Sequence, residues 1–175
     1  MELLPDSCAL LVVDIQEKLF GKVLGADRLL ERITLLYKGC KILNIPVVVT
    51  EQYPQGLGKT VLAVEEAPLA KTAFSCARDP ATKKAIEYCN KKVWILCGIE
   101  SHVCILQTVK SLLKEGFTPI VVQDAISSRN ELDHSSSLQE MRALGVRITT
   151  VETVLFELIK DAQHPQFKEL SRLIK

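Results

Sequence analysis

The stretch Val93 to Cys104, V-W-I-L-C-G-I-E-S-H-V-C, decides the fold. Val93, Trp94, Ile95, Leu96 and Cys97 form an unbroken apolar run, the pattern of a strand covered on both faces, as in a parallel sheet. Gly98 ends it. From Val103 to Leu113 apolar residues return at helical spacing, with Ser101 as the expected N-cap, so Cys104 falls in the first helical turn. A thiol there feels the positive end of the helix dipole and nearby free N–H groups, and both favour the nucleophilic thiolate. The same residue also reads as a small packing side chain, since free cysteine is commonly buried and inert. The stretch alone leaves both readings open.

Working outward, strand and helix alternate throughout. Cys8 to Val13 reads as a strand ending at Asp14, Asp27 to Asn44 as an amphipathic helix, and Ile45 to Thr50 as a second strand. Glu51 to Thr60 is a loop rich in Gln, Pro and Gly, and Ala67 to Phe74 is weakly extended. Asp79-Pro80 starts a helix that runs to about Cys89. Phe117 to Gln123 is a strand ending at Asp124, Asp133 to Leu144 a helix closed by Gly145, and Val146 to Thr150 a last strand. Val154 to Ile159 and Phe167 to Ile174 read as helices. This alternation predicts a three-layer, doubly wound α/β fold, Rossmann-like, with a mainly parallel sheet of about six strands. At 175 residues, one domain over 1–175 is the simplest division.

The composition narrows the function classes. Lysines and arginines number 22 against 21 acids and are spread along the chain, so the net charge of +1 gives no electrostatic case for nucleic acid or a membrane surface. No segment is long enough to span a bilayer. Six cysteines occur without a C-x-x-C pair or zinc-type Cys/His spacing, and no basic, apolar leader opens the chain. These features predict a reduced, cytoplasmic protein with no cofactor and no metal. A mitochondrial location is the alternative, without a clear transit peptide.

Ligands of such sheets bind outside the carboxyl ends of the strands, near a switch in strand order. The polar residues placed there are Asp14, Thr50-Glu51-Gln52, Lys71, Gly98 through Cys104, and Asp124. Asp14 could take the proton of a thiol, or cap the turn that follows it. Lys71 could favour the thiolate, or be a solvated surface lysine. Backbone N–H groups near Ser101 could hold an oxyanion. Acid, lysine and thiol together suit acyl transfer through a thioester. Asp124 reads instead as a brace for the loop Ala125 to Arg129.

The order of these residues is similar to a known family. V-V-D-I-Q at Val12 to Gln16, K-T-A-F-S at Lys71 to Ser75 and G-I-E-S-H-V-C-I-L-Q-T at Gly98 to Thr108 resemble the isochorismatase-like cysteine hydrolase superfamily. T-E-Q-Y-P-Q-G-L-G-K-T at Thr50 to Thr60 and D-A-Q-H-P-Q-F-K-E-L at Asp161 to Leu170 look like marks of its isochorismatase-domain-containing subgroup. The resemblance spans nearly the whole chain. It implies Asp14, Lys71 and Cys104 as a catalytic triad and a cis peptide at Ile99–Glu100 that aims a backbone N–H at the oxyanion. The acid, lysine and thiol predict a cofactor-independent cysteine hydrolase acting on a small amide or related acyl compound, while the identity of the substrate does not follow from the triad. Nicotinamidases of the superfamily carry a histidine-containing metal site, and neither Lys18 to Asp27 nor the loop at Glu51 has a histidine here. True isochorismatases lack the cysteine, so a vinyl-ether substrate is disfavoured by Cys104. A hydrolase-derived binding or scaffolding protein with little turnover is the alternative reading.

Around this centre, Ile99, Glu100 and Ser101 are candidates for oxyanion or substrate binding, and Gln16, Gln52, Tyr53 and Phe74 for pocket lining or loop bracing. Gly58-Lys59-Thr60 imitates a phosphate-binding loop, but the glycine it needs falls at Tyr53. His102, two residues before Cys104, points to another helix face, and His134 and His164 look isolated. Cys8, Cys40, Cys89 and Cys97 read as packing residues, and Cys76 as partly exposed. The apolar residues of Val151 to Lys175 exceed what one sheet face needs, which predicts a homo-oligomer built partly through that region.

Overall fold

Alternating side chains along each strand feed two separate apolar cores, one on either face of a single sheet. The structure, a computed structural model, describes residues 2–174. Met1 and Lys175, the ends of the expected domain and, for Lys175, of the C-terminal run, lie outside the described residues. In chain order the main elements are β1 (Cys8–Val13), α1 (Ala26–Ile42), β2 (Val47–Gln52), β3 (Leu69–Lys71), α2 (Pro80–Cys89) and β4 (Val93–Ile99). There follow α3 (Leu106–Lys114), β5 (Thr118–Ser127), α4 (Glu131–Ala143), β6 (Arg147–Thr149), α5 (Val151–Ile159) and α6 (Phe167–Ile174). Leu10, Val12, Ile95, Cys97, Ile120 and Val122 pack with Leu36 of α1, Leu155 of α5 and Leu170 of α6. Their neighbours Leu11, Val13, Trp94, Leu96 and Val121 pack with Ile86 of α2, Val109 of α3 and Met141 of α4 on the other face. Strands buried on both faces need continuous apolar sequence, which is why Val93 to Cys97 shows no alternation.

All neighbouring strands are parallel, in the order β3-β2-β1-β4-β5-β6. The winding reverses between β1 and β4, so the chain leaves these two adjacent strands on opposite faces and opens the crevice where ligands of doubly wound sheets bind. Gly98 sits at this point with φ +119, and a Cβ there would lie 2.1 Å from the Val13 carbonyl oxygen. Only glycine lets β4 approach β1 this closely.

Elsewhere the structure departs from the sequence reading. β5 does not stop before Asp124: a register shift between Leu96 and Gly98 lets it run on to pair Ile126 with Gly98 and Ser127 with Ile99. The Asp124 carboxylate accepts the Val151 N–H at the start of α5 and lies 3.7 Å from Arg32 Nε, so it braces helices rather than the loop Ala125 to Arg129. The weakly extended Ala67 to Phe74 shrinks to three strand residues ending at Lys71. The apolar residues of the C-terminal run are not surplus. Val154, Leu155, Leu158, Ile159 and Leu170 are buried in their own chain, and Phe167, Leu173 and Ile174 pack against the same core. α1 lies across the sheet with α5 and α6 against it, so this face needs two helices more than a single crossover would supply. Cys76 is fully buried, and Cys89 only half so.

Candidate active site

Asp14 leaves β1 in a left-handed conformation, φ 52, which short polar residues tolerate better than most. Its carboxylate is fully buried. Oδ1 accepts the Thr50 hydroxyl at 2.8 Å, from β2, and Oδ2 accepts Lys71 Nζ at 2.7 Å, from β3. The ammonium also donates to Gln52 Oε1 at 2.7 Å and to the carbonyls of Ala73 and Phe74, both at 3.1 Å. Three protons are thus shared among four oxygens, and the charge has no exposure to water. Cys104 Sγ lies 3.8 Å from the same nitrogen, with 6% of the residue exposed. Three consecutive strand ends and the turn after β4 therefore converge on one buried ion pair with a thiol beside it.

The electrostatics follow from that burial. Burial is the largest single influence on the Lys71 ammonium and acts against it, but the charge and hydrogen bond of Asp14, with smaller contributions from Cys76 and Cys104, together hold the lysine above its ordinary value. Cys104 is pushed well up, first by burial and then by Asp14, with Lys71 opposing and losing. The resting centre is a neutral thiol beside a carboxylate–ammonium pair. In the free protein burial and Asp14 together outweigh the pull of the lysine toward thiolate. One reason is local: Ser101 to Ile105 forms a turn of π-helix, the α-helix begins only at Leu106, and no side chain caps the start. Cys104 is therefore not in the first turn of an α-helix, and Ser101 is not its N-cap.

The remaining candidates fall into distinct places. Gln16 is buried and braces loops, its amide donating to the carbonyls of Gln52 and Gly58 and accepting the Gln52 N–H. Gln52 orients Lys71 and donates to the Thr72 carbonyl. The Tyr53 and Phe74 rings are about half exposed; what Phe74 gives the lysine is its carbonyl. Ile99 is a core residue, and the Ile99–Glu100 peptide is cis. Glu100 pairs with Arg129, while its carbonyl accepts the N–H groups of Val103 and Ile105. The Ser101 hydroxyl meets Ser128 and His134. Sequence reasoning assigned no role to Thr50, although its place at the end of β2 beside Asp14 was visible; Ser128 gave no signal at all. Among the described residues, no three His, Cys, Asp or Glu side chains are grouped to hold a metal ion. No helix among them is long and apolar enough to cross a membrane.

The Isochorismatase domain model matches residues 8–153, from the first residue of β1 into α5. The chain belongs to the isochorismatase family. Its similarity to relatives in this family extends over the whole fold. The human isochorismatase domain-containing protein 2 is 41% identical over 176 residues, covering 98% of this chain and 85% of the human one. A Caenorhabditis elegans structure, named as a MAR1 ribonuclease, is 37% identical with a TM-score of 0.92, covering 99% of this chain and 92% of the other. The Escherichia coli YcaC gene product, described as an octameric hydrolase of unknown specificity, is 26% identical with a TM-score of 0.91, covering 99% and 89%. The six-stranded parallel sheet with helices on both faces is thus an isochorismatase-like α/β fold.

Proposed function

We propose that the chain is a cofactor-independent cysteine hydrolase acting on a small amide or related acyl compound through Asp14, Lys71 and Cys104. The observation that carries this reading is the shared ammonium: Lys71 Nζ lies 2.7 Å from Asp14 Oδ2 and 3.8 Å from Cys104 Sγ inside a water-poor site. A neutral thiol needs a base at the moment of attack, and Asp14 is that base. As Sγ bonds to the substrate carbonyl carbon, its proton passes to Asp14 and the carbonyl oxygen takes the negative charge. N–H groups of the Cys104 turn other than those of Val103 and Ile105, which the Glu100 carbonyl already accepts, stabilise that oxyanion, while Lys71 holds Asp14 in place. Collapse expels the amine, which takes the proton from Asp14, and leaves a thioester. Asp14 then deprotonates a water that attacks the thioester, releasing the acid and restoring the thiol.

The ribonuclease activity for which the C. elegans relative is named is a different chemistry. Phosphodiester cleavage calls for cations free to meet the phosphate, whereas the one cation of this cluster is already committed to Asp14 and three other oxygens. Acyl chemistry therefore fits the cluster better. The octamer named for the E. coli relative supports a homo-oligomeric state here as well. Exposed Tyr88 and Leu132 are apolar side chains free for such contacts, and light scattering at micromolar concentration tests it. Incubation with an amide library, followed by mass spectrometry, tests the chemistry: an acyl mass on Cys104, absent in Cys104→Ala, is the expected result. No adduct, together with cleavage of an added RNA, would overturn it; no adduct and no turnover would favour a binding protein.

A further inference from the structure

Four side chains meet at the turn that carries Cys104 and take no part in the chemistry above. The Ser101 hydroxyl, at the start of that turn, contacts the Ser128 hydroxyl and lies 3.0 Å from His134 Nδ1 on α4. Ser128 Oγ, just past β5, lies 2.9 Å from His102 Nδ1. Both serines are fully buried, and both histidines are partly so. The result is an unbroken chain, His134–Ser101–Ser128–His102, that ties α4 and the end of β5 to the turn.

A proton count shows what this chain demands. Three contacts need three donated protons, and each hydroxyl supplies one. The third must come from Nδ1–H of one histidine, while the other histidine accepts at Nδ1. One imidazolium satisfies this equally well, since it donates from Nδ1. Two imidazoliums do not: four donors then compete for three contacts, one buried hydroxyl proton loses its acceptor, and two positive charges share the chain.

We infer that these four residues form a clamp that positions the Cys104 turn and that opens when both histidines are protonated. The surroundings bear on each charge. Burial holds His134 below its ordinary value, while Glu131, one turn earlier on α4, acts the other way. Asp133 precedes His134 on the same helix. Beside Ser101 and Ser128, Glu100 and Arg129 offset each other in an ion pair at 2.9 Å. The clamp deepens the hydrolase reading, because the turn it holds presents the nucleophile, and its four members are positioning residues.

Hydrogen exchange of the amides of residues 101–106 tests it without any substrate, after correction for intrinsic pH dependence. At pH 7.5, Ser101→Ala and His134→Ala should raise exchange about tenfold, the loss of one buried hydrogen bond. His134→Asn, whose amide reaches the place of Nδ1 but does not titrate, should stay near the wild type. On acidification to pH 5, wild-type exchange should rise toward that of Ser101→Ala, while the His102→Asn/His134→Asn double variant stays flat. A structural contact without titration would give wild type and double variant the same profile, and that result overturns the clamp. Should Ser101→Ala not fold, His102→Ala, at a partly exposed residue, carries the same expectation. Failure to find an acyl adduct would bear on the hydrolase alone; a flat wild-type profile would bear on the clamp alone.

Discussion

Cys97 and Cys104 lie in one continuous segment, and both are held as neutral thiols by burial. Cys97 packs in the apolar core with residues of β1, β5 and the helices beyond, where the neighbour that adds to the effect of its burial is another buried thiol, Cys40. Cys104 faces a carboxylate and an ammonium. On the proposed mechanism, the difference teaches that a thiol of this fold reacts through what can receive its proton, not through a resting negative charge. Burial holds both protonated; the carboxylate of Asp14 lies close enough to raise Cys104 further, whereas for Cys97 that further influence is Cys40.

The comparison breaks most sharply with Cys104→Ala, which should abolish acyl adduct formation, while Cys97→Ala leaves the adduct and costs only a cavity. Intact-mass analysis of the two variants decides it. Next comes Asp14→Asn. Turnover should fall by about 10² to 10⁴, the usual loss for a general base. Alkylation of Cys104 by iodoacetamide should nevertheless become faster, because the charge that raises its pKa is gone. If both rates fall together, Asp14 is a structural residue. Lys71→Ala should slow alkylation at neutral pH and destabilise the fold by about 3–5 kcal/mol, the usual cost of leaving one partner of a buried ion pair alone. Urea unfolding measures that cost.

The pH dependence sharpens the same contrast. The folded state raises the thiol values of Cys40, Cys76, Cys97 and Cys104, Cys76 to about 11, mainly through burial. Unfolded thiols lose their protons near pH 8.5. Above that pH the unfolded chain binds fewer protons than the folded one, so stability is full below it and falls as pH rises. The urea midpoint should therefore drop between pH 8 and 10. Over the same range the Cys104 alkylation rate should climb without the plateau near neutrality that marks a low-pKa thiol. The smallest effect is expected from Thr50→Val, which removes one hydrogen bond to Asp14 and costs about 1.5–3 kcal/mol.

Much of the architecture was legible because it is written locally. Val93 to Cys97 declared a doubly covered strand, Asp79-Pro80 a helix start, and the alternation of elements a wound sheet whose strand ends gather Asp14, Lys71 and Cys104. What escaped depends on pairs distant in sequence. Ser128 and His134 meet Ser101 only after β5 has run past Asp124, and that extension depends on a register shift against β4 that periodicity does not show. The π-turn at Ser101 to Ile105 was hidden for a related reason: its residues carry helical spacing, and one extra residue per turn leaves no mark in so short a run. The fate of Val154 to Ile174 turned on how α1 lies across the sheet, which the apolar pattern of the C-terminal segment could not reveal.

β3 is three residues long and lies at the edge of the sheet, where pairing on one side only makes a strand prone to fray. Its last residue, Lys71, fastens it by donating to Asp14 of β1, to Gln52 of β2 and to two carbonyls beyond its own end. The side chain assigned to the chemistry is thus also the rivet of the sheet margin. A descendant of this chain that gave up turnover would still be under pressure to keep the lysine, and with it the carboxylate it pairs with. An intact Asp14 and Lys71 accordingly testify to a folded edge as much as to a working enzyme; in such a lineage the thiol is the member of the three free to drift first.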